Sequence, residues 1–154
     1  MCGIAGLIHR GKSSNVGGEL QNMLQALKHR GPDSTGYALY ANNDGQNFIL
    51  RFKVGENVGE GSTSVNEDES VYNERKKTVD KKLSELGAPI VKEEKLTPYS
   101  YRYEIKYDKD LMEFSKAIES IQSVEILSIG KSLELIKDLG DATVVSERYG
   151  LNKV

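Results

Sequence analysis

One cysteine, two histidines and three prolines in 154 residues leave this chain short of the groups that most often carry chemistry. A single thiol closes no internal disulfide, and two distant histidines without a second cysteine make a poor metal set, so no metal or other cofactor is expected. An excess of one charge is missing too: 21 basic and 23 acidic side chains, spread along the chain, give a net charge of −2. Without a basic patch, neither nucleic acid nor anionic lipid is an expected partner. The longest apolar run, Met1 to Ile8, falls well short of the roughly 20 residues that span a bilayer. It has no basic n-region and no small-residue cleavage site, and it leads into His9, Arg10 and Lys12. Neither a membrane span nor a secretory signal is expected, which points to the cytoplasm.

What the chain does have is enough apolar matter for a core. Apolar side chains make up 38% of it, and 15 glycines are added to these. One domain, or one with an insertion, fits.

Gly3 to Ile8 reads as a buried strand leaving the core through a polar turn from Gly11 to Gly18. Leu20, Met23, Leu24 and Leu27 then follow one helical face, with Gly31 and Pro32 as the stop. Gly36 to Asn42 and Asn47 to Val54 read as strands, and Asp44-Gly45 between them is the turn chemistry of a hairpin. A Gly-, Glu- and Asn-rich stretch from Gly55 to Gly61 marks a candidate boundary. Beyond it, the spacing predicts a helix over 68–86 stopped by Gly87, strands over 89–92 and 99–107, a helix from Leu111 to Ile121, and a strand from Val124 to Ile129. In the second of these strands Tyr99, Tyr101, Tyr103, Ile105 and Tyr107 share one face. Counted from Asn47, the order is β-α-β-β-α-β, the split βαβ arrangement of ferredoxin-like modules. Ser132 to Leu139 and Ala142 to Tyr149 read as helices, with Asp141 able to cap the second.

Cys2 is the first residue to weigh for chemistry. By itself a lone cysteine is more often a small buried apolar residue than a nucleophile. Position 2 changes this. Removal of Met1 puts a thiol and a free α-amine on one residue, with ordinary pKa values near 8.5 and roughly 7.7–8.0. The amine can then take the thiol proton as an intramolecular general base, and no histidine is needed. Gly3 and Gly6 suit a strand approached closely by another backbone or a substrate. Other motifs fail. Gly130-Lys131-Ser132 ends like a phosphate-binding loop, but Glu125 stands where that motif needs glycine. Gly55, Gly59 and Gly61 lack the dinucleotide spacing, and the tyrosine strand suits a helix-covered sheet face better than a base-stacking platform.

Met1-Cys2-Gly3-Ile4-Ala5-Gly6, together with His29-Arg30-Gly31-Pro32-Asp33-Ser34-Thr35-Gly36, resembles the amino terminus of class II glutamine amidotransferases, which are N-terminal nucleophile hydrolases. The resemblance implies that Cys2 attacks the glutamine side-chain amide with its own amine as acid and base. Arg30 and Gly31 would then hold the N-terminal residue and shape the glutamine site. Asp33 would tie down its own turn, with His29 and Ser34 structural. The Tyr-rich strand and the segment from Ile129 to Tyr149 look like the amidotransferase part of archaeal-type glutamate synthases. That likeness implies ammonia transfer to a separate synthase domain or subunit.

The implied fold is α+β: an incomplete αββα sandwich with an inserted ferredoxin-like βαββαβ subdomain. Residues 1–54 would form the first part of the amidotransferase domain, 55–129 the insertion, and 130–154 the return. The family's later His-Thr-Arg and Asn-Gly segments, for the substrate carboxylate and the oxyanion, do not occur in this sequence. The chain is therefore expected to be the N-terminal portion of a larger enzyme, nearly inactive alone, with glutamine and a missing C-terminal half as partners. The competing expectation is a non-catalytic interaction or regulatory module in which Cys2 is incidental.

Overall fold

A computed structural model describes residues 2–11, 15–30, 33–40, 45–55 and 68–153. The chain falls into two compact units, one made of Met1–Tyr37 and Lys137–Val154, the other of Ala38–Ile136.

The second unit is built on a four-stranded antiparallel sheet. Its strands are β2 (Phe48–Lys53), β3 (Ile90–Thr97), β4 (Ser100–Ile105) and β5 (Glu125–Gly130), in the spatial order β3-β4-β2-β5. Helix α2 (Glu69–Leu86) joins β2 to β3, and α3 (Leu111–Glu119) joins β4 to β5. This is the split βαβ topology. Alternation along the strands decides the core face: Leu50 and Phe52 of β2 and Tyr101, Tyr103 and Ile105 of β4 pack with Tyr72, Val79 and Leu83 of α2 and Phe114 and Ile118 of α3. Phe52 stacks on Tyr101 at 5.4 Å and meets Tyr103 edge-on at 5.0 Å. Asp68 and Asp110 cap the two helices, Asp110 accepting from Met112 N–H at 2.6 Å. Gly87 ends α2 in the left-handed region, with φ 74°.

In the first unit, α1 (Val16–Ala26) runs into a 3-10 turn at Lys28–Arg30, and α4 (Ala142–Tyr149) packs against α1. Strands β1 (Ser34–Tyr40) and β6 (Leu133–Leu139) form a two-stranded sheet whose residues are divided between the two units.

Three expectations are corrected. Gly3 to Ile8 forms no strand: Gly3, Ala5 and Leu7 are half-buried, while Ile4 and Ile8 are each 92% exposed. The exposure alternates as in a strand, but a strand needs a ladder partner, and none is formed among the described residues. Second, β1 and β2 are not hairpin neighbours, because β1 pairs with β6 whereas β2 is flanked by β4 and β5; of the turn between them, Asp44 lies outside the described residues. Third, the stretch read as a helix from Ser132 is strand β6. Its inward side carries Glu134, Ile136 and Asp138, all buried.

Those inward carboxylates have partners. Arg51 and Arg102 face each other across β2 and β4, an unfavourable like-charge pair by itself. Glu134 accepts from Arg51 Nε at 2.6 Å and from Arg102 Nε and Nη2 at 2.9 Å. Burial opposes ionisation of Glu134, but the two guanidiniums outweigh it and hold its carboxyl below the usual range. In the other unit, Asp138 takes Arg148 Nη1 at 2.9 Å and the Tyr149 hydroxyl at 3.0 Å.

Candidate active site

The segment that carries Cys2 lies along α1. A methyl group added to Gly3 would stand 3.0 Å from Leu27 Cβ, 3.4 Å from Leu27 Cδ1 and 3.6 Å from Arg30 Cβ. Glycine lets the backbone come so near without Leu27 having to give by a few tenths of an ångström. At the other end of the segment, His9 Nε2 lies 3.1 Å from Glu19 Oε2, in the first turn of α1. The chain from Gly3 to His9 therefore runs antiparallel to α1, pinned at both ends.

Cys2 is exposed, next to the residue seated on Leu27. Arg30, also exposed, closes the turn that Leu27 begins, its N–H donating to the Leu27 carbonyl at 2.8 Å. Two of the residues singled out by sequence thus share one end of α1. The third, Gly31, lies outside the described residues, as does Pro32. Gly6 meets nothing within 4 Å of an added Cβ, so the close-approach argument holds at Gly3 and fails at Gly6. Asp33 contributes its backbone carbonyl, which accepts from Gly140 N–H at 3.1 Å.

The end of α1 is fixed by Asp141, the N-cap of α4. Its carboxylate accepts from the N–H groups of Thr143 and Val144 at 3.1 Å, from Lys28 Nζ at 3.3 Å and from Gln25 Nε2 at 3.5 Å. The Val144 N–H, followed by Lys28 and Gln25, holds the Asp141 carboxyl below its ordinary range against the effect of burial. At the same end of α4, on the residues flanking Asp141, Tyr37 donates to the Ala142 carbonyl and Thr35 to the Gly140 carbonyl, both at 2.8 Å. Sequence reasoning found Asp141 as a cap but missed its second task. Gln25 and Lys28, three apart on a helix end, were the available signal.

Other features lend no chemistry. Gly130-Lys131-Ser132 is the tight β5–β6 turn, where a Cβ on Gly130 would meet the Leu133 carbonyl at 3.0 Å, and Lys131 Nζ lies over the Phe48 ring at 4.9 Å. Tyr99, Tyr101 and Tyr103 are buried in the core and offer no stacking surface. A shallow cleft of about 380 Å³ in the second unit, lined by Gln46, Asn47, Gly87, Pro89, Lys106, Tyr107 and Asp108, holds neither Cys2 nor Arg30. Among the described residues no three His, Cys, Asp or Glu side chains form a metal-holding group, and no helix is long and apolar enough to cross a membrane.

No protein-family model matches the chain. The chain is 32% identical, over 158 aligned positions, to a protein of Methanothermobacter thermautotrophicus that bears the name "Putative glutamine amidotransferase". The alignment covers 97% of this chain and 47% of the relative, so the chain spans about half the length of the curated relative it matches.

Proposed function

We propose that the chain is the nucleophile-bearing part of a class II glutamine amidotransferase, in which mature Cys2 hydrolyses the glutamine side-chain amide. One observation carries the reading: an exposed Cys2 beside a glycine packed against Leu27 and Arg30. The name of the Methanothermobacter relative agrees with it.

With Met1 removed, the α-amine of Cys2 accepts the thiol proton, and Sγ attacks the amide carbon. The tetrahedral adduct collapses when that proton passes to the departing nitrogen, which leaves as ammonia and gives a γ-glutamyl thioester. The amine next takes a proton from water, hydroxide adds to the thioester, and the adduct collapses to release glutamate while the expelled Cys2 thiolate takes the proton back from the amine. Arg30 and Gly31 belong beside the N-terminal residue, holding it and shaping the glutamine pocket. The groups that bind the substrate carboxylate and the oxyanion belong to polypeptide outside these 154 residues. An oxyanion donor alone is worth on the order of 10²–10³ in turnover, which makes the 154-residue chain by itself a very poor glutaminase. The ammonia acceptor is a glutamate synthase domain or subunit.

The test is intact-mass measurement of the natural-length protein, followed by a glutamate-release assay. The expected result is an N-terminal Cys2, release of glutamate from glutamine, and its loss by a factor of at least roughly 10³ in Cys2→Ala. Retained Met1 sinks the reading and leaves the interaction module.

A further inference from the structure

We propose that Leu27 is a positioning residue for the Cys2 nucleophile, seating the thiol and starting the Arg30 turn from the same point; this rests on the assignment of Cys2 above. Its side chain is the nearest group to the position a Gly3 Cβ would take, at 3.0 Å, so the α-carbon next to Cys2 lies directly on it. Its carbonyl, through the 2.8 Å bond from Arg30 N–H, starts the turn that carries the guanidinium. Its own N–H closes α1 on the Leu24 carbonyl at 3.0 Å. Gln25 and Lys28, two positions before it and one after, both donate to Asp141, which fixes the same helix end.

Leu27 is only half-buried, so it is not a core anchor whose loss must unfold the unit. What Leu27→Ala removes is the outer part of the surface against which Gly3 rests, with Cδ1 at 3.4 Å, while Cβ at 3.0 Å stays. The helix and the turn remain, because their hydrogen bonds are made by the backbone of that residue. The thiol is then free to wander relative to Arg30, and a misplacement of about 1 Å can cost up to 10²-fold in an oriented reaction.

The experiment uses the natural-length protein with Met1 removed, and compares wild type, Leu27→Ala and Leu27→Met. Each is treated with a glutamine-analogue diazoketone and separately with iodoacetamide, which needs no bound orientation. Leu27→Ala should react at least roughly tenfold more slowly with the analogue and within about twofold of wild type with iodoacetamide. Leu27→Met should recover most of the lost rate, and kcat for glutamine should fall in Leu27→Ala with KM little changed. Equal analogue rates in wild type and Leu27→Ala overturn the positioning role. So does an equal slowing with both reagents accompanied by a lower melting temperature, which is the signature of a merely structural residue. A wild type whose Cys2 ignores the analogue overturns the nucleophile assignment itself, and the positioning role with it.

Discussion

The two units handle their apolar residues differently. In the unit of residues 38–136, α2 and α3 cover one face of the sheet, and Leu50, Phe52, Tyr103, Ile105, Phe114 and Ile118 are wholly buried. Its exposed apolar groups, Tyr40, Val91, Met112 and Leu135, stand one each on β1, β3, α3 and β6. The unit that carries Cys2 buries Tyr37, Ala142, Val145 and Leu151, yet exposes Ile4 and Ile8 at 92% and also Met23 and Val144. Among the described residues each unit thus leaves four large apolar side chains exposed, and the difference lies in where the most exposed of them stand. Ile4 and Ile8, the two most exposed, lie together on the short segment that follows Cys2, and such surface is where association is expected. Stability and chemistry are thus divided: substitutions in 38–136 should change melting, and substitutions near Cys2 should change reactivity.

The sharpest way to break that division is at Phe52, fully buried between two tyrosine rings. Phe52→Ala removes both ring contacts and leaves a cavity, for an expected loss of about 3–5 kcal/mol in chemical denaturation. A loss below about 1 kcal/mol would mean that this core is far looser than its geometry.

Glu134 comes next. Glu134→Gln leaves Arg51 and Arg102 opposed and under-neutralised, with an expected cost of about 3 kcal/mol. The pH dependence follows from a carboxyl held below its usual range. Its contribution is fully present above the unfolded-state value, about 4.3, and is lost as pH falls through the lower folded-state value. Wild type should therefore lose stability in acid more steeply than Glu134→Gln, and parallel acid-denaturation curves for the two would remove Glu134 from the account.

How much of this was legible in the sequence follows from how local each signal is. Helices α2 and α3, the first with Gly87 at its end, were readable because stops and 3.6-residue stripes are written within the element. The tyrosine strand was readable because alternation decides its face. Strand β6 was misread because Leu133 and Ile136 stand at helical spacing, while its buried side carries Glu134, whose partners Arg51 and Arg102 lie far away in sequence. The predicted hairpin failed for a related reason: turn chemistry at Asp44-Gly45 is local, whereas β2 is claimed on both edges by β4 and β5. In the site, Cys2, Gly3 and Arg30 were legible as a motif. Leu27 was not, since nothing in an i, i+3, i+4, i+7 stripe separates the leucine that lies against Gly3 from those that pack a helix.

A smaller effect belongs to Gly87, held at φ 74° at the end of α2. Gly87→Ala meets only Lys109 Nζ, at an ordinary contact distance of 3.5 Å, so its cost is the left-handed backbone alone, roughly 1–2 kcal/mol. Thermal melting checks this, and no change would indicate that the helix end relaxes without loss.

The smallest expected effect tests the other half of the comparison. Ile4 and Ile8 point into solvent, so replacing both with serine withdraws almost no apolar area from a buried place. The 154-residue chain should keep its stability within about 0.5 kcal/mol, as exposed substitutions usually do. Its tendency to self-associate, read by light scattering, should fall, because two large apolar groups have left the surface. If instead the double substitution costs several times that energy, the Gly3–Ile8 segment is covered in solution, and the contrast between apolar groups spread one to an element and two gathered on one segment no longer holds.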